Sequence, residues 1–181
     1  MCTSIIFINR SSKWPVIIGS NRDESLNREW KFPARHWFNK YSNIIAGKDE
    51  KKGGSWIGVN DSNLVSLIHN RKTKKLKKST SRGNIILDVL KHTEINSSLN
   101  YIKKINRLKY NNFNLLISNS KKTFWIKHDL DNEKLYIEEL REGLSILTEN
   151  ELNNTNDKKI NYYLDRFSKI ETPNPTKNNW K

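Results

Sequence analysis

The chain has 181 residues, with 33 basic against 19 acidic side chains, a formal charge of +14 and a single cysteine. That length suits one domain with a full two-layer core, no run of about 18 apolar residues is present to form a membrane span, and one cysteine excludes an internal disulfide framework. The opening segment lacks a basic n-region and a cleavage site, so the expectation is a soluble, cytoplasmic protein whose thiol stays reduced.

Cys2 directly follows the initiator Met1. Removal of Met1 would leave a thiol and an α-amine on one residue. Their ordinary pKa values, about 8.5 and about 7.7 to 8.0, are close enough for the amine to take the thiol's proton at neutral pH. The thiolate could then attack an acyl carbon, and water or an amine would resolve the thioester. The plainer reading is a small residue opening a buried strand. Residues 4–8 and 16–20 are short apolar runs joined by a polar stretch from Asn9 to Lys13, a hairpin that would bring Cys2 beside Asp23. Further strands are predicted at 44–47, 55–59 and 64–69, with Gly53-Gly54 and Asn60-Asp61 supplying turn conformations of positive φ.

Arg71-Lys72-Thr73-Lys74-Lys75-Leu76-Lys77-Lys78 holds six basic residues in eight. It reads either as a solvated loop or as a rim that attracts an anionic substrate. A basic surface also raises nucleic acid as a partner. However, lysine and asparagine are spread along the whole chain, and no recognition helix, zinc finger or aromatic RNA-binding signature is present, so nucleic acid ranks last among the partners.

Beyond this loop Ile85, Ile86, Val89 and Leu90 recur at helical spacing, as do Leu99, Ile102, Ile105 and Leu108 after Ser97-Ser98. Strands return at 113–118, 123–128 and 135–139, and a last helix is predicted over 157–167 with Ile160, Leu164 and Phe167 inward. This order predicts an α+β domain over 1–170, two sheets between helical layers, followed by a polar tail or linker over 171–181. His36, His69, His92 and His128 form no close pair, and neither HExxH nor CxxC spacing occurs, so neither a metal nor a cofactor is expected. Arg28, His36 and Trp37 lie in an irregular stretch that could rim a pocket, because loops beside a nucleophile often do.

Several motifs occur together and in order: Met1-Cys2-Thr3, Asn21-Arg22-Asp23-Glu24, Ala46-Gly47 followed by Asp49, Gly53-Gly54-Ser55-Trp56-Ile57-Gly58, Ser81-Arg82-Gly83 and Tyr110-Asn111-Asn112-Phe113-Asn114. With them the chain resembles the NRDE family, that of the transport and Golgi organisation 2 protein. The resemblance implies a four-layer αββα sandwich of the N-terminal nucleophile hydrolase type. It also implies kinship with choloylglycine hydrolases, penicillin V acylases and acyl-CoA-dependent acyltransferases, which cleave or form amides with an N-terminal cysteine. The family usually continues with further strands, so the domain is expected to be a C-terminally shortened branch or a fragment.

Carried onto this sequence, the resemblance makes Cys2 the nucleophile and Asp23 the carboxylate that holds the α-amine and thiol. Asn70 becomes an oxyanion-hole donor. Asn21 and Asp23 are two apart and should share a face if the strand extends that far, with Arg22 on the other. An arginine that precedes the Asn of this motif in the amide-cleaving relatives is Ser20 here, and Arg22 is a candidate substitute from a loop. Glu149 stands where the relatives place a second asparagine, with Asn150 as a candidate replacement. His69 should face away from Asn70 in a structural role, and Gly53-Gly54 should set a turn that packs Trp56. Two functions fit: a hydrolase or acyltransferase acting on a small amide, N-acyl or thioester substrate through Cys2, or a non-catalytic protein that binds haem or an acyl-CoA or lipid ligand, as family links to haem trafficking suggest.

Overall fold

The computed structural model describes residues 2–72, 80–130 and 134–170. The apolar runs of the sequence form ten strands, and these sort into two sheets because their alternating faces need two different partners. A three-stranded antiparallel sheet has the order β10 (Gly143–Leu147), β1 (Thr3–Ile8), β2 (Val16–Asn21). A seven-stranded sheet runs β3 (Trp30–Ala34), β4 (Ile44–Asp49), β5 (Ile57–Asn60), β6 (Val65–Asn70), β7 (Phe113–Ser118), β8 (Thr123–Asp129), β9 (Lys134–Glu139).

The layers follow from which faces are apolar. Phe113, Leu115 and Ile117 of β7 join Ile68 and the buried residues of α1 (Gly83–Leu90) and α2 (Ile95–Lys104) in one core. Leu67 and Leu116 point to the other face and meet Ile6, Ile8 and Leu147 of the small sheet. β7 is therefore buried along its whole length, as a strand sandwiched on both sides must be. On the far side of the small sheet α3 (Lys158–Phe167) packs on β10, with Ile160 and Ile146 fully buried. Asp157 caps α3 by accepting from the Lys159 amide at 2.9 Å. The result is helix, sheet, sheet, helix, the predicted αββα sandwich.

Two strands have no counterpart in the sequence reading. β3 is exposed along its length and contains Pro33, so it shows neither alternation nor ordinary strand composition, and it is tolerated because it is an edge. β10 is short and starts at Gly143, whose φ of 110° is glycine country. The helix predicted to reach Leu108 ends earlier. Ile105 is extended, and Arg107–Lys109 form a separate single turn. In the 60–63 turn the residue with positive φ is Asn63, not Asn60 or Asp61. Residues 171–181 and most of the basic run, 73–79, lie outside the described residues. Arg71 at the head of that run is not solvated: its guanidinium donates to Asn114 Oδ1, the Asn150 carbonyl and Glu151. No helix among the described residues is long and apolar enough to cross a membrane.

Two glycines join the seven-stranded sheet to α1 by backbone contact. A Cβ on Gly54 would sit 2.5 Å from the carbonyl carbon of Gly83, and the Ser55 amide donates to the Gly83 carbonyl at 3.1 Å. Backbone cannot give way as a side-chain tip can. Gly54→Ala is expected to destabilise the fold by about 2 to 3 kcal/mol, read as a lower urea midpoint at unchanged slope. A variant indistinguishable from wild type would show that the contact is loose.

Candidate active site

The β1–β2 ladder builds the first wall of the site. Thr3 pairs with Asn21 and Ser4 with Ser20, so one more step along the two chains sets Cys2 opposite Arg22, with Asp23 next. Cys2 is half-buried and opens into a cavity of about 320 Å³ together with Arg22, Asp23, Asn70, Trp56 and Arg82. Glu24, Arg28, Asp49, Ser81, Gly83 and Asn111 complete much of the wall.

Of the residues singled out from sequence, Cys2, Asp23, Asn70 and Arg22 meet in this cavity and Asn21 does not line it. Asn21 instead donates to Asp23 Oδ1 at 2.8 Å, a second-hand role that fixes the carboxylate. Arg22 corrects the alternation argument. β2 ends at Asn21, so the pleat no longer governs Asp23, and Arg22 and Asp23 both face the cavity. The Arg22 guanidinium lies 4.3 Å over the Trp56 ring and 3.9 Å from Asp49. A Cβ on Gly47 would fall 2.6 Å from that same ring, so Gly47 is what lets Trp56 lie flat on β4 under the arginine.

Asp23 is the electrostatic hinge of the site. Its carboxyl is held below the ordinary range, with the hydrogen bond and charge of Lys159, whose Nζ stands at 3.0 Å, among the causes. A carboxylate kept ionised favours the protonated form of an amine beside it.

Asn70, the last residue of β6, reaches the cavity, while its neighbour His69 points to the opposite face. His69 Nε2 lies 2.9 Å from Ser4 Oγ, and Nδ1 lies 3.3 Å from the Thr148 carbonyl. It therefore bolts the large sheet to the small one. Burial pushes its pKa down to about 4, against a smaller opposing effect of the Thr148 hydrogen bond. The unfolded chain takes up this proton near pH 6.5, and the folded protein does so only near 4. The stability due to the neutral ring is therefore complete above about pH 6.5 and is lost as pH falls toward 4, by about 3 kcal/mol. Unfolding free energies at pH 7 and pH 4.5 should show most of this loss in wild type and a smaller one in His69→Gln. An equal loss in both would assign the effect to His92 and His128, which burial lowers in the same direction.

Neither residue considered for a second oxyanion donor lines the cavity. Asn150 donates to Asp157 at 2.9 Å, and Glu149 lies 3.3 Å from Lys72. Of the suggested rim residues only Arg28 is in place, with Nε and Nη2 at 3.0 and 2.6 Å from Asp49 Oδ2. Trp37 is turned inward and donates to the Gly53 carbonyl, and His36 bonds the Phe32 carbonyl. Asp49, Arg82 and Asn111 had no role in the sequence reading, although each stands within or beside a family motif. Among the described residues no group of His, Cys, Asp and Glu could hold a metal.

No curated protein matches the chain significantly in sequence. The fold is that of the N-terminal nucleophile hydrolases. A Caenorhabditis elegans N-acylethanolamine-hydrolyzing acid amidase orthologue is similar with a TM-score of 0.72 at 13% identity, covering 98% of this chain and 88% of its own. The conjugated bile acid hydrolase of Clostridium perfringens is similar with a TM-score of 0.56 at 14% identity, covering 96% of this chain and 59% of that one. At such identities the likeness concerns the fold alone. The family model of transport and Golgi organisation 2 matches residues 1–179, and the chain belongs to that family.

Proposed function

We propose that the protein is an N-terminal cysteine hydrolase or acyltransferase that acts, once Met1 is removed, on a small amide, N-acyl or thioester substrate. The observation that carries this reading is the meeting of Cys2, Asp23 and Asn70 in one cavity of about 320 Å³, at the lower end of small-molecule sites. The fold it shares with an N-acylethanolamine-hydrolyzing amidase and a bile acid hydrolase supports an amide or conjugate as substrate.

The α-amine of Cys2 takes the thiol proton, and Sγ attacks the acyl carbon. The carbonyl electron pair moves to oxygen, and the Asn70 amide donates to it. Collapse of this intermediate expels the amine or thiol leaving group, which takes the proton from the ammonium that Asp23 stabilises. Water then releases the acid, or a second amine accepts the acyl group, and Cys2 is restored.

Intact-mass spectrometry of alkylation across pH tests this directly, since with one cysteine the mass reports both Met1 loss and the reactivity of Cys2. The expected result is a chain lacking Met1 whose thiol reacts with an apparent pKa well below about 8.5. Retained Met1, or an inert thiol, removes the hydrolase reading and leaves ligand binding, of haem or an acyl-CoA-like molecule, as the account of the cavity.

A further inference from the structure

One guanidinium in the cavity wall meets no carboxylate among the described residues. Arg28 is held by Asp49, Arg22 lies between Asp49, Glu24 and the Trp56 ring, and Lys159 neutralises Asp23. Arg82, partly buried just before α1, differs. Its Nη1 donates to the Asn112 carbonyl at 2.7 Å, and the described residues offer it no carboxylate and no acceptor for Nε or Nη2.

Burial works against the charge of this guanidinium, and a desolvated charge is costly unless something answers it. Two further features point the same way. Lys52 at the cavity wall has no ion pair among the described residues, and the first turn of α1, which starts at Gly83 in the wall, carries no acid. A guanidinium presents a planar fork of donors matched to a carboxylate or a phosphate.

We infer that Arg82 is an anion subsite: the molecule that occupies this cavity carries a carboxylate or phosphate, gripped by the Arg82 fork, at a position removed from the group that faces Cys2. The inference rests on the proposed function only in calling that molecule a substrate. The subsite itself stands whether or not Cys2 reacts. It deepens that function by excluding neutral acyl amides as good substrates.

The test uses the full ¹⁵N-labelled chain titrated at constant ionic strength with N-acetylglycine, its neutral counterpart N-acetylglycinamide, and methyl phosphate. The indole N–H of Trp56 and the backbone amide of Gly83, both in the cavity wall, are the reporters. Saturable shifts with at least one anion are expected, with the neutral amide at least about tenfold weaker, the worth of a charge-assisted hydrogen bond. The tighter of the two anions identifies the group. Arg82→Gln should weaken that anion about tenfold and Arg82→Lys should recover much of it, because a lysine keeps the charge without the fork.

A neutral amide that binds as tightly as the better of the two anions, no saturable shift with either anion, or an affinity untouched by Arg82→Gln would each overturn the inference. Should Arg82→Gln unfold, because it also loses the Asn112 contact, the acid-to-amide ratio in wild type and the Arg82→Lys titration decide. Saturable anion binding by a protein whose Cys2 resists alkylation would remove the hydrolase reading and keep the subsite. A reactive Cys2 with no preference for anions would do the reverse.

Discussion

Replacement of Cys2 by alanine is expected to lower turnover of any amide or thioester substrate by at least about 10⁴-fold while leaving the unfolding free energy within about 0.5 kcal/mol of wild type. The first half of this expectation follows from chemistry: no other side chain in the cavity is a thiol, and the proposed covalent intermediate cannot form without one. The second follows from position. Cys2 lies just ahead of β1, is only half-buried, and its side chain belongs to neither hydrophobic core. The two readouts separate a catalytic from a packing role. A variant that retains turnover refutes the mechanism, and one that loses activity together with its fold would place Cys2 in the framework instead.

Asp23→Asn should have the second-largest effect, a loss of about 10² to 10⁴ in kcat, within the range seen when the carboxylate orienting a catalytic base is neutralised at constant shape. The asparagine could still accept a hydrogen bond from the α-amine. It could not offset the ammonium that forms when the thiol proton is transferred. Lys159 would meanwhile lose its counter-ion at 3.0 Å and raise the local positive potential further, which makes the amine a poorer base. Lys159→Met supplies the contrast. It removes the cation and keeps the carboxylate, so its activity should stay within about tenfold of wild type, the scale of a partly exposed ion pair. Single-turnover acylation and the alkylation pH profile measure both variants, and a profile for Asp23→Asn that overlays wild type would remove Asp23 as the organiser of the nucleophile.

Much of the architecture was legible because burial leaves a period in the sequence. The apolar runs at 4–8 and 64–69 and the helical spacing of Ile85, Ile86, Val89 and Leu90 each record burial against a core. β3 escaped notice because an exposed edge strand has no buried face to leave such a record. The split of ten strands into sheets of three and seven could not be read either. Strand β10 returns to pair with β1 from more than a hundred residues away, and that choice depends on which faces remain uncovered after everything else has packed.

The same division holds within the site. The sequence by itself determined the hairpin that sets Cys2 near Asp23, since the partners are close along the chain and a short turn fixes their register. Only the tertiary structure decided the rest. It turned Arg22 into the cavity where the pleat ends, laid it over Trp56 across the space left by Gly47, took Asn150 away to Asp157, and brought Arg82 to the wall with no carboxylate among the described residues to answer it. Local patterns encode whether a side chain is buried. Which charge it meets is settled by elements distant in sequence, whose approach is fixed by packing as a whole.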